Sequence, residues 1–201
     1  MLNFNSIEAA WFALCNMCVK DGYLYTIDRG SFAGRQRRQL DGVGFRIDPG
    51  NSILTTFKGD YITTEDQIQQ YFVKYLFSDE IQETEEYTYG QRIFQYMPTL
   101  IEMLRENPYT NQAVIEVGQP SDILLSDPPC LRVLSFKVVE GAINLGCYFR
   151  SWDCFGGLPT NLGGLTMLNR LVASEAGLRE GKLICFSDGL HVYMDHIKGY
   201  F

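Results

Sequence analysis

Three short segments carry side chains whose types and spacing suit chemistry. They are Asp127-Pro128-Pro129-Cys130-Leu131-Arg132, the run from Arg150-Ser151-Trp152-Asp153 through Gly156-Gly157 to Asn161, and Asp188-Gly189-Leu190-His191-Val192-Tyr193. A cysteine thiolate is a strong nucleophile, and a nearby cation makes it available at neutral pH. Cys130 follows two prolines, which make a rigid, kinked entry to a strand. Taken alone, one cysteine among 6 is more often a buried apolar residue. Arg150 offers a planar fork of donors that suits phosphate, and Ser151 adds a hydroxyl. The commoner fate of a lone arginine is a surface ion pair. His191 and Tyr193 stand two apart, so on a strand their side chains share a face. Cys15-Asn16-Met17-Cys18 has CxxC spacing without a second Cys or His pair nearby, and it reads as core.

These segments need elements to position them. Residues 6–20 read as an opening helix capped by Ser6. Residues 23–60 are Gly-rich, with Val43, Phe45 and Ile47 alternating as a strand and Arg35, Arg37 and Arg38 in the loop before it. Helices are expected over 65–77 and 94–105, with an acidic connector from Asp79 to Glu86 between them. Ala113 to Val117 reads as a short strand. Leu131 to Val139 and Ile143 to Phe149 read as paired strands. A helix over 162–176 follows, then separate strands over Lys182 to Phe186 and His191 to Met194. Strands and helices alternate without strict βαβ order, so the class is α+β, in a single domain spanning 1–201.

The 201 residues bury enough surface to need no disulfide or metal staple. A net charge of −7 argues against a protein that coats a nucleic acid polymer. No apolar run approaches a membrane span, and Met1 to Asn5 shows no signal-peptide core. The cysteines are expected to remain thiols in a soluble, cytoplasmic chain.

Together the three segments resemble thymidylate synthase. Pro129-Cys130, Arg150-Ser151-Trp152-Asp153 with Gly157-Leu158-Pro159-Thr160-Asn161, and His191-Val192-Tyr193 follow the family's order and spacing. The resemblance covers residues 86–196 well and the first 60 poorly. It implies a large curved mixed sheet with helices on one face, and a homodimer with the sheets packed back to back. It also implies C5 methylation of dUMP by 5,10-methylenetetrahydrofolate or a related methylene-pterin, with no metal. Cys130 would add to C6 of the uracil ring. Arg150, Ser151 and Arg29 would hold phosphate. Asn161 would donate to O4 and accept from N3–H, where relatives acting on cytosine carry aspartate. His191 and Tyr193 would hold the sugar. Asp153 and Gly157 would meet the pterin, and Tyr89 would assist removal of the C5 proton.

The chain departs from that pattern in four places. Thr110-Asn111-Gln112 stands where the family places two phosphate-binding arginines from the partner subunit; Arg35, Arg37 or Arg38 could compensate. Leu131 replaces a histidine. The family's helix glutamate has no counterpart in the 65–77 helix. The family's lid-forming tail would begin near Phe201; without a lid, water enters and the product becomes hydroxymethyl. A pyrimidine nucleotide hydroxymethylase and a non-catalytic nucleotide-binding homolog are therefore the alternatives. The short length and Asp-Pro-Pro-Cys-Leu-Arg segment resemble the compact archaeal-type branch.

Overall fold

The computed structural model describes residues 1–50, 63–81 and 86–199. The expected acidic connector and the end of the Gly-rich stretch fall partly outside them. Among the described residues the architecture is α+β, built on one mixed eight-stranded sheet. Its strands are β1 (Leu2–Phe4), β2 (Tyr23–Thr26), β3 (Gln36–Ile47), β4 (Val114–Glu116), β5 (Leu131–Val139), β6 (Ala142–Phe149), β7 (Trp152–Asp153) and β8 (Arg179–Tyr193). The main order is β1-β3-β8-β6-β5-β4, with β2 on β3 and β7 on β8. Residues of β6 alternate strictly between half-buried and buried, the period-2 signature of a sheet with one covered face.

The helices are α1 (Ile7–Asp21), α2 (Glu65–Tyr71), α3 (Tyr89–Ile93), α4 (Met97–Glu106) and α5 (Leu158–Ala176). Ser6 caps α1, its hydroxyl accepting from the Ala9 N–H at 3.1 Å. Thr64 and Gln67 form a reciprocal capping box on α2. Gly177 ends α5 in the left-handed region, with φ of 70°. The core gathers Leu14, Phe45, Leu134, Phe136, Leu145, Phe149, Leu165 and Leu168 among others, all fully buried or nearly so.

Several expected boundaries are corrected. Residues 179–193 form one strand, because Ser187, Asp188 and Gly189 stay extended and pair through to Asp41 instead of turning. Arg37 and Arg38 lie inside β3, not in a loop before it. The helix expected over 65–77 is α2 followed by a π-helical turn, Phe72–Leu76. The helix expected at 94 begins at Tyr89, where the Thr88 hydroxyl accepts from the Gln91 N–H, and runs through a 3₁₀ turn, Phe94–Tyr96, into α4. The last helix begins at Leu158, with Pro159 in its first turn, where a missing N–H costs nothing.

One close approach places the site. A Cβ on Gly163 would fall 2.7 Å from the Ile68 side chain, and one on Gly164 would fall 2.5 Å from the Tyr71 ring. Two adjacent glycines thus let α2 lie against α5, with Tyr71 beside the first turn of α5.

Candidate active site

Cys130 immediately precedes β5 and is half-buried. Its segment is splinted by Arg150, which leaves the end of β6. The Arg150 N–H donates to the Cys130 carbonyl at 2.9 Å. The guanidinium donates through Nε to the Pro129 carbonyl at 3.1 Å and through Nη2 to the Pro128 carbonyl. Pro128 and Pro129 have no N–H to donate, so their carbonyls are the main-chain groups through which the segment is held. Asp127 lies 3.6 Å from Nη2. On the other side the Tyr89 hydroxyl accepts from the Leu131 N–H at 3.3 Å. Burial pushes the Cys130 thiol above its ordinary pKa; Arg150 is the leading opposing influence, with Arg37 and Arg132 adding to it. The nearby cations oppose the rise, and desolvation outweighs them.

Cys130, Arg29, Arg150, Ser151, Asp153, His191 and Tyr193 all line one cleft of about 840 Å³. Tyr89 and Asn161 line an adjoining cavity of about 460 Å³, which shares Ser31, Ser126 and Asp127 with the cleft. Gly157 lines neither, but a Cβ there would sit 3.5 Å from Asn161 Oδ1. Nine of the ten residues to which the resemblance gives a role thus line two adjoining spaces.

The cleft wall follows from strand register. Tyr25 pairs with Arg37 and Arg37 with Tyr193; Tyr23 pairs with Gln39 and Gln39 with His191. Two cross-strand rows therefore present their side chains together. His191 is 3% exposed. Its Nδ1 lies 3.0 Å from the Gly189 carbonyl, so Nδ1 carries the proton and Nε2 is an acceptor. Nε2 is buried and has no partner among the described residues. Burial drives the His191 pKa down to about 4, against the Gly189 contact, so the ring is neutral at pH 7.

Asp153 pairs with His191 across β7 and β8. Its Oδ1 accepts from the N–H groups of Phe155 at 3.1 Å and Gly156 at 3.2 Å. A Cβ on Gly156 would fall 2.9 Å from Asp153 Oδ2. Burial raises the Asp153 pKa, and the two N–H groups partly counter it.

Two contributors, Tyr71 and Trp152, escaped the sequence reading, which also left Arg37 as one of three alternatives. Of the basic run, only Arg37 lines the cleft: Arg38 donates to the Gly22 carbonyl at 2.8 Å, and Arg35 pairs with Asp195 at 2.6 Å. Strand alternation would have separated Arg37 from Arg38 had β3 been started at Gln36. Tyr71 looked like an apolar helix position, yet its hydroxyl is buried against Asn161 without a partner in bonding geometry, and burial pushes its pKa up. Trp152 donates its indole N–H to Asn161 Oδ1 at 2.9 Å; no local pattern announces that bond. At the departures, Asn111 is engaged by Lys137, and Leu131 is fully buried.

The thymidylate synthase family model matches residues 56–200. The chain belongs to the thymidylate synthase family. A relative named "Putative thymidylate synthase" from Methanosarcina barkeri is 31% identical over 198 residues, covering 95% of this chain and 88% of the relative. One of the same name from Methanosarcina acetivorans is 30% identical over 203 residues, covering 98% and 90%. "Thymidylate synthase" of Listeria monocytogenes serotype 4a is 34% identical over 110 residues, covering 54% of this chain and 35% of that protein. Near-full-length similarity to the Methanosarcina proteins accords with the compact form expected from the sequence. As a thymidylate synthase family member, the chain is of methyltransferase type. No described helix is long and apolar enough to cross a membrane, and no described cluster of His, Cys, Asp or Glu could hold a metal ion.

Proposed function

We propose that this family member converts dUMP to dTMP, with Cys130 adding to C6 of the uracil ring and C5 then taking up a one-carbon unit. The observation that carries the proposal is the placement of the half-buried Cys130 thiol in one cleft with Arg150, Arg37 and the unpartnered Nε2 of His191. Arg150 holds the nucleophile segment through Nε and Nη2 and offers its remaining donors to the phosphate, with Ser151 and Arg29. Arg37 supplies the positive charge that Asn111 and Gln112 do not. The sugar 3′-hydroxyl donates to His191 Nε2, with Tyr193 beside it. Asn161 reads the base, and Tyr89 stands at the C5 side.

The donor set fits a methylene-pterin cosubstrate. Asp153 has one oxygen tied down by two N–H groups and the other pressed over Gly156, where only a glycine permits the approach. That oxygen can accept from a ring N–H, and Gly157 lets a flat ring come close. The cosubstrate, 5,10-methylenetetrahydrofolate or a related pterin, supplies the methylene carbon and the hydride. The protein acts as a homodimer through its large sheet, in the cytoplasm; 6 free thiols accord with a reducing compartment.

Incubation with 5-tritiated dUMP and methylenetetrahydrofolate tests this. Tritium release with a methyl product is expected, and Cys130→Ala abolishes both. Release with a hydroxymethyl product assigns the scaffold to hydroxymethylation. Absence of release from folded protein overturns the proposal.

A further inference from the structure

An asparagine beside a pyrimidine does not by itself choose between uracil and cytosine. Uracil presents an acceptor at O4 and a donor at N3–H; cytosine presents a donor at N4 and an acceptor at N3. A carboxamide carries one acceptor and one donor group, and a half-turn about its last side-chain bond exchanges them with almost no change of shape. The half-turn converts the complement of uracil into the complement of cytosine. Discrimination therefore needs something that forbids it.

The Tyr71 hydroxyl, buried against Asn161, cannot supply this, because a hydroxyl both donates and accepts and tolerates either orientation. The indole of Trp152 can. It has a single N–H, which only donates, and this reaches Asn161 Oδ1 at 2.9 Å. The ring that carries it is held firmly. Trp152 is 2% exposed, stacks on Phe149 at 3.8 Å between centroids and 11° between planes, and lies against Phe45 at 5.9 Å. Its backbone is paired with Leu190 of β8. A reversed amide would set its NH₂ against the indole N–H, leaving two facing donors in a buried place, which is costly.

We propose that Trp152 is a positioning residue for base selection: it locks the Asn161 amide with Oδ1 on the indole, leaving the second lone pair of Oδ1 for N3–H and Nδ2 for O4. The inference rests on the assignment of Asn161 as the base contact. Asn161 alone supplies the groups, and Trp152 sets their sense.

Dissociation constants for dUMP and dCMP, measured by calorimetry on the full chain and on Trp152→Phe, test it. The wild-type chain is expected to prefer dUMP, and the variant to lose at least about tenfold of that preference as the amide becomes free to turn. A variant that binds both nucleotides more weakly by the same factor, keeping the ratio, overturns the role of Trp152 while leaving Asn161 in place. A wild-type chain that binds nucleotide without preferring dUMP removes the base contact itself, and the inference with it. A measurement without substitution decides independently. The chain has 2 tryptophans, and the Trp11 indole donates to the Phe155 carbonyl at 3.1 Å. In the dUMP complex the Trp152 indole proton is expected to exchange with solvent far more slowly than in the denatured chain, as is the bonded Trp11 indole proton that serves as the internal reference. Exchange at the denatured rate overturns the lock.

Discussion

Two polar regions, the cluster around Asp122 and the wall of the cleft, are finished in opposite ways. In the 3₁₀ turn Pro120–Leu124, Asp122 is gripped by Arg92 through two contacts of 2.8 Å and by Arg132 at 2.8 Å, and it accepts the Gln119 N–H at 2.8 Å. Arg92 also donates to the Val117 carbonyl and Arg132 to the Gln119 carbonyl. The Asp122 side chain is only 3% exposed. In the cleft wall, by contrast, Arg150 donates to two carbonyls through Nε and Nη2, Arg37 donates through Nε to the Tyr25 hydroxyl, and His191 Nε2 is buried without any partner among the described residues. The residue types overlap, yet one region is saturated from within and the other keeps spare bonding capacity. Saturation marks a structural ion cluster; reserve capacity marks where a ligand must complete the bonding.

Breaking the saturated region gives the largest expected effect. Asp122→Asn leaves the nearly buried Arg92 and the partly exposed Arg132 facing a neutral amide, and should cost about 3 kcal/mol of unfolding free energy in denaturant melts. The two regions should also fail at different pH. His191 ordinarily titrates near 6.5 and is held at about 4 in the fold, so its stabilising contribution is intact above 6.5 and lost as pH falls toward 4. The loss should reach up to about 3 kcal/mol, and His191→Gln should flatten that part of the stability profile. Asp122, lowered to about 2 chiefly by Arg92, contributes above its ordinary 3.8 and fails only as pH falls toward 2. A single merged transition would erase the distinction between the regions. Next in size, Arg37→Met should weaken dUMP binding by roughly tenfold, as loss of one charge-assisted contact does, while leaving the melting temperature nearly unchanged. Smallest is Asp195→Asn: its exposed bridge to Arg35 should make no measurable difference to melting.

The residues proposed to touch ligand were legible in the sequence through the order and spacing of three segments that resemble the family, since by type alone Cys130 reads as core and Arg150 as a surface ion pair. A thiol after two prolines, a guanidinium-serine pair and a histidine two before a tyrosine each announce a capacity. What positions them was less legible. Ser187-Asp188-Gly189 has turn composition, but ten paired positions with β3 keep it extended, a tertiary override of local preference. Arg37 and Arg38 are neighbours of the same type, and only the start of β3 assigns one to the cleft and the other to Gly22. Tyr71 owes its place to two glycines on another helix, and the Trp152–Asn161 bond to the aromatic stack beneath the indole. Such relations exist only once the chain has folded.

Five of the cysteines are buried, and Cys130 alone is partly open. The chain consequently carries its own counter of unfolding. A bulky alkylating reagent meets one thiol on an intact molecule and 6 on an opened one. The mass of each molecule after a short pulse then reports whether it was closed or open at that instant. Occupancy of the single open thiol by bound nucleotide would drop the count on the closed population from one to none, so the same spectrum separates empty, filled and unfolded molecules.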